Sequence, residues 1–129
     1  MLKSIGAVLA GYLIFAVPAA LLFVLSGRDP HAVPTLSFAV GSVVYGMAFA
    51  FSGGWSAGTI AHRNELGHAI GVASVILSLA VLSTLLQRGH GSVWTQLSTV
   101  IFMVPSAVLG GFVRKRTKKS DSLAMHPNV

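Results

Sequence analysis

Four long stretches of this sequence contain no charged residue. They lie between Lys3 and Arg28, between Asp29 and Arg63, between Glu65 and Arg88, and between Arg88 and Arg114. An α-helix rises about 1.5 Å per residue, so about 20 apolar residues cross the hydrocarbon core of a bilayer. Each stretch is therefore long enough for one membrane-spanning helix. We predict spans at 4–25, 36–61, 67–86 and 95–113.

The composition excludes an ordinary water-soluble domain. Hydrophobic residues make up 53% of the chain and charged residues 9%, whereas about 25% of the residues in soluble domains are charged. The apolar stretches are continuous rather than alternating, which disfavours a β-barrel. Short connections force neighbouring spans to be antiparallel. The predicted fold is an all-α, four-transmembrane-helix antiparallel bundle over residues 1–113, with up-down-up-down topology and a basic tail at 114–129 that we expect to be disordered.

The distribution of basic residues predicts the orientation. An even number of spans places both termini on one side, together with the 62–66 turn, and that side carries seven of the nine Lys and Arg residues. The positive-inside rule then places both termini in the cytoplasm of a multi-pass protein of the cell (inner) membrane. The alternative is a cleaved signal peptide at 1–25, which would leave three spans. Its apolar run is longer than usual, and Lys3 is the only basic residue before it.

Small residues recur every four positions in the second span: Ser42, Gly46, Ala50, Gly54 and Gly58. Gly67 and Gly71 repeat the spacing at the start of the third span. Apolar burial does not drive helices together in lipid, so small residues serve by letting backbones approach closely. We predict that these seven residues form a helix-packing interface and that the second and third helices pair through it. The same face is alternatively the interface of a homo-oligomer.

The segment after the fourth span is strongly basic. Arg114, Lys115, Arg116, Lys118 and Lys119 lie next to the predicted membrane surface, where each basic side chain attracts anionic lipid by about 1 kcal/mol. We predict that they anchor the protein to lipid headgroups, with a regulatory tail as the alternative. No folded nucleic-acid-binding domain accompanies the cluster, so we expect no nucleic-acid partner.

The polar residues near the second turn suggest little chemistry. His62, Glu65 and His68 have side chains that bind metals, but their spacing crosses a turn and does not match the H-E-x-x-H motif of zinc peptidases. Helix capping and charge compensation explain them, and a metal-binding or pH-sensing role stays open. No Asp, Glu, Lys or Arg lies inside a predicted span. This absence disfavours proton-coupled transport, which uses ionisable groups within the membrane.

Some features inside the spans deviate from a plain apolar helix. Pro105 removes a backbone donor and frees the carbonyl of Ile101, which predicts a kink. Tyr12 and Trp55 fall at similar depths, and buried phenol and indole groups normally find a hydrogen-bond partner. We expect them to bond to hydroxyl groups of the second helix, and a ligand pocket is the alternative.

Motifs of known enzyme classes are missing. The sequence contains no G-x-S-x-G nucleophile elbow, no phosphate-binding loop, no paired carboxylates and no cysteine. We therefore expect no enzymatic activity and no cofactor. The expected function is that of a non-enzymatic structural or accessory subunit, in a homo-oligomer or a larger membrane complex, packed through small-residue helix interfaces. The alternative is an oligomeric pore or facilitator for a small neutral solute.

Overall fold

The computed structural model describes residues 2–62, 64–87 and 93–125. The first three helices are α1 (Leu2–Ser26), α2 (Leu36–Ala61) and α3 (Glu65–Gln87). The fourth helix runs over Trp94–Met125 and consists of α4 (Trp94–Ser98), a π-helical turn (Thr99–Met103) and α5 (Val104–Met125). All four are long and apolar enough to cross a membrane. The predicted all-α four-helix bundle is confirmed.

The helix boundaries agree with the predicted spans at 4–25, 36–61 and 67–86 to within two residues. The fourth differs, because the helix continues past 113 to Met125. Loss of hydropathy ended the predicted span, but Arg and Lys are good helix formers, so the backbone continues as a helix into water. Of the predicted disordered tail at 114–129, residues 114–125 are helical, and 126–129 lie outside the described residues.

Two turns end helices through left-handed backbone conformations. Gly27 follows α1 with φ +62°, and its N–H donates to the carbonyl of Val24 at 3.3 Å. His62 ends α2 with φ 56°, and Asn64 has φ 52°. The backbone N–H of His68 donates to the Asn64 carbonyl at 3.2 Å, which starts α3. The turn between α2 and α3 therefore reverses the chain within a few residues, whereas α1 and α2 are joined by the longer 27–35 connection.

The interior of the bundle is built mainly from small side chains. α1 and the fourth helix each pack against α2 and α3, which form the central pair. Val72 and Ile76 are the largest side chains that are fully buried. Large apolar side chains point outward instead, and Leu9 and Leu13 of α1 are 52% and 54% exposed. This arrangement is typical of helices in lipid, because lipid is itself apolar and no hydrophobic effect drives large apolar side chains into the interior.

The π-helical turn changes the direction in which one end of the fourth helix faces. The backbone N–H of Val104 donates to the carbonyl of Thr99, five residues back, immediately before Pro105. One extra residue in a helix of 3.6 residues per turn rotates the preceding residues by about 100°. Four polar side chains consequently face the interior of the bundle: Thr95, Gln96, Ser98 and Thr99.

Candidate functional site

The small residues of α2 lie against the fourth helix. A Cβ atom built on Gly54 would overlap the carbonyl oxygen of Ala107 and lie 3.1 Å from its Cα. Ala50 is fully buried, and Gly46 lies against the side chain of Met103. At the two ends of the row, Gly58 contacts Glu65 and Arg114, and Ser42 lines a cavity. The row therefore serves packing within one chain.

The small residues at the start of α3 have other neighbours. Gly71 faces Val8 of α1, and Gly67 faces the side chain of Asn64. α2 and α3 do pack together, and Gly58 lies against Glu65 beside the turn, but Gly54 and Gly71 face other helices. Regular spacing identified the packing faces, but it contained no information about which helix lies on each face.

A second close contact joins α1 to α2. A Cβ atom built on Gly11 would lie 2.6 Å from the carbonyl oxygen of Gly53, and one built on Gly53 would overlap the carbonyl oxygen of Gly11. On the fourth helix, a Cβ atom on Gly110 would overlap the carbonyl oxygen of Phe51. These backbone contacts hold α1 and the fourth helix tightly against α2 in the half of the bundle that contains both termini, which we call the terminal half. The opposite half, beside the 27–35 connection, is the loop half.

The basic segment is partly fixed to the turn between α2 and α3. The Lys118 ammonium donates to Glu65 Oε1 at 2.5 Å and to the carbonyl of His62 at 2.8 Å. The guanidinium carbon of Arg114 lies 5.8 Å from the centre of the Trp55 ring. Arg116 stacks in the same way on Phe112, at 4.6 Å. Lys115, Arg116, Lys118 and Lys119 are all exposed. Lys118 and Arg116 have the partners given above, so Lys115 and Lys119 are the two exposed members that no such contact holds within the described residues.

Two of the three possible metal ligands near the second turn, Glu65 and His68, bond to other groups of the chain. Glu65 is bound by Lys118, and the ring of His68 donates through Nδ1 to the Asn64 carbonyl at 2.9 Å. Within the described ranges, no three His, Cys, Asp or Glu side chains are grouped as a metal ion requires.

The loop half contains a cavity between α1, α2 and the fourth helix. Its volume is about 140 Å³, and its walls are mostly apolar, with Phe15, Phe38 and Met103 among them. At its rim the guanidinium carbon of Arg28 lies 4.6 Å from the centre of the Phe38 ring. We call this space the α2-side cavity.

A second cavity, the α3-side cavity, lies between α1, α3 and the fourth helix and has a volume of about 210 Å³. Both cavities contact four residues, which stand between them: Phe15, Pro30, Thr95 and Thr99. The Thr95 hydroxyl donates to the Pro30 carbonyl at 2.5 Å, which holds the 27–35 connection over both cavities. Gln96 lines the α3-side cavity, and its Nε2 donates to the Ser83 hydroxyl at 3.3 Å.

Sequence reasoning did not find these cavities. The hydroxyl groups expected to bond to Tyr12 and Trp55 donate to their own helix instead, Ser52 to Ala48 and Thr59 to Trp55. Tyr12 lines the α3-side cavity. The one sequence feature that pointed to the cavities is the group of polar residues at 95–99, at the start of the fourth span. The sequence did not show that they face the interior, because that direction depends on the π-helical turn. Comparison of the chain with protein-family models, curated proteins and solved structures gave no match.

Proposed function

We propose that this chain is a non-enzymatic integral membrane protein that serves as an accessory subunit of a larger membrane assembly. One observation carries the proposal: backbone contacts at Gly11–Gly53 and Gly54–Ala107 pack α1, α2 and the fourth helix tightly together in the terminal half. We infer that the described residues of a single chain leave a solute no continuous path between these three helices. No Asp, Glu, Lys or Arg lies within 4–25, 36–61, 67–86 or 95–113, and His68, the one histidine in these ranges, lies in the first turn of its span. The spans thus contain few of the ionisable groups that coupled transport uses.

The proposal places both termini in the cytoplasm. The chain contains no cysteine, so single-cysteine variants report accessibility without background. Ser122→Cys and Ala32→Cys replace exposed residues at opposite ends of the bundle. With a membrane-impermeant maleimide, we expect Ala32→Cys to react in intact cells and Ser122→Cys only after permeabilisation. The reverse result would contradict the orientation.

Partner capture in native membranes tests the accessory role. A photoreactive residue at Leu13, which is 54% exposed on α1, reports what lies outside the bundle. The matched control is Ala57, which is fully buried. We expect one recurrent protein adduct at position 13 and none at position 57. Lipid adducts alone, with a chain that migrates as a monomer after mild solubilisation, would contradict the proposal.

A second candidate is an oligomeric facilitator for a small neutral solute, and the cavities of the loop half favour it. Liposome assays separate the two candidates. An accessory subunit leaves the uptake of glycerol and urea at the rate of protein-free vesicles. Selective uptake of one solute would replace the proposal with the facilitator. In that case Gly54→Leu should abolish the flux and Gly6→Leu should preserve it, because a Cβ atom on Gly6 meets no other atom within 4 Å.

A further inference from the structure

Gln96 is a polar side chain enclosed in an apolar part of the bundle. It is 8% exposed, and its carboxamide makes one long hydrogen bond, from Nε2 to Ser83 Oγ at 3.3 Å. Its Oε1 is buried and has no hydrogen-bond partner among the described residues. Exchange of Oε1 and Nε2 does not resolve this, because Nε2 then occupies the buried position that has no partner. Buried polar groups are paired in the great majority of cases, so an unpaired amide end indicates a missing partner.

Gln96 lines the α3-side cavity, so a rotation of its carboxamide would bring the unpaired end to a partner there. The apolar walls of the cavity include Phe15, Ile76, Leu79 and Ala80. An enclosed apolar cavity of about 150 Å³ accommodates a benzene ring, and the α3-side cavity has about 210 Å³ and is open on one side, so that a ring can enter it from outside the bundle. One six-membered ring with a small substituent therefore fits between these walls. The terminal torsion of a glutamine is soft, so either end of its amide turns towards a ligand at little cost.

The lining also limits the charge of the ligand. Apart from His31, each side chain on the α3-side cavity that belongs to the described residues is apolar or a neutral hydrogen-bonding group. Ser83 lies four residues before the end of α3 at Gln87, which corresponds to about 6 Å along the helix axis. The cavity is thus close to the end of the helix, where small amphipathic molecules collect at a bilayer surface.

We propose that the α3-side cavity binds a small neutral ring compound that carries one hydrogen-bonding substituent, and that Gln96 recognises the substituent. The ring packs against Phe15 and Ile76, and its hydroxyl or amino group bonds to the carboxamide. This binding site goes beyond the accessory-subunit role and does not depend on it. A bundle without a transport path still binds such a ligand, and the binding test does not report on partners.

Methyl NMR of the full chain in detergent micelles tests the proposal, with phenol and toluene as probes. Ile76 lines the cavity, so its ¹³C-labelled methyl group reports ring binding. We expect a saturable Ile76 shift and, at equal concentration within the micelle, about five-fold tighter binding of phenol than of toluene, which corresponds to one net hydrogen bond. Gln96→Met keeps the side-chain length and removes the hydrogen bond. It should lower phenol affinity to that of toluene and leave toluene affinity unchanged.

The controls keep the outcome decisive if Gln96→Met does not fold. Ile60 and Ile101 are 46% and 58% exposed, so their methyl groups should follow probe partitioning into the micelle without saturation. In the wild-type chain alone, equal affinities for phenol and toluene would overturn the proposal, because a water molecule would then satisfy Gln96. An Ile76 shift that does not saturate would overturn it as well.

Discussion

The contact between Gly54 and Ala107 makes a sharp prediction about stability. In Gly54→Ala, the new methyl group would overlap the backbone carbonyl of Ala107. A backbone atom cannot rotate away as a side chain can, so the two helices must separate. Gly6→Ala is the matched control, because it adds the same methyl group where no other atom lies within 4 Å.

The magnitude follows from the required movement. Restoring an ordinary contact separates the helices by roughly 1 Å, and such a gap removes a quarter to a half of the dispersion energy of each atom pair. With about 40 atom pairs at about 0.15 kcal/mol each, the loss is about 1.5–3 kcal/mol. Both variants gain up to about 1 kcal/mol from the better helix propensity of alanine, and this gain cancels in the comparison. We therefore expect a difference of about 1.5–3 kcal/mol in the free energy of unfolding.

Reversible unfolding in mixed micelles of mild detergent and sodium dodecyl sulfate measures this difference. Gly110→Ala provides an internal check, because its methyl group meets the carbonyl of Phe51 in the same interface between α2 and the fourth helix. Once one methyl group has separated the helices, the second costs less, so the double variant should lose less than the sum of the single losses. Equal stabilities of Gly54→Ala and Gly6→Ala would refute the reasoning.

Two further contacts give measurable expectations. Lys118→Met should destabilise the chain by about 1 kcal/mol more than Glu65→Gln in thermal melts, because it leaves the mostly buried Glu65 carboxylate without the ammonium that donates to it; equal losses would contradict this. Thr95→Val removes the hydrogen bond to Pro30, which is worth about 1 kcal/mol. Amide exchange at Ala32 should therefore accelerate about five-fold, and an unchanged exchange rate would show that other contacts hold the 27–35 connection.

The four helices were predictable because the thickness of the bilayer sets the minimum length of an uncharged stretch that can cross it. The packing faces were predictable for a related reason, since small residues at every fourth position leave a groove along a helix. The partner of each face was not. Gly54 meets Ala107 and Gly71 meets Val8, and these pairings depend on how all four helices pack together.

The extent of the fourth helix and the cavities were missed for different physical reasons. Hydropathy falls at Arg114, although helix propensity does not, so the predicted boundary at 113 marked the end of the apolar segment and not the end of the helix. The inward direction of Gln96 depends on the π turn. Pro105 predicted a kink, but the sequence did not indicate that the backbone would respond by adding a residue to the turn.

The π turn also separates two kinds of evolutionary change in this chain. Deleting one residue from 99–103 would restore a regular α-helix and swing Gln96 towards the hydrocarbon, while Ala107 would keep its place against Gly54. A single insertion or deletion at this point therefore rotates the residues before the π turn, which include Gln96, and leaves the contacts of the residues after it unchanged. The polar side chains of the loop half can therefore change direction in evolution while the close helix contacts of the terminal half stay the same.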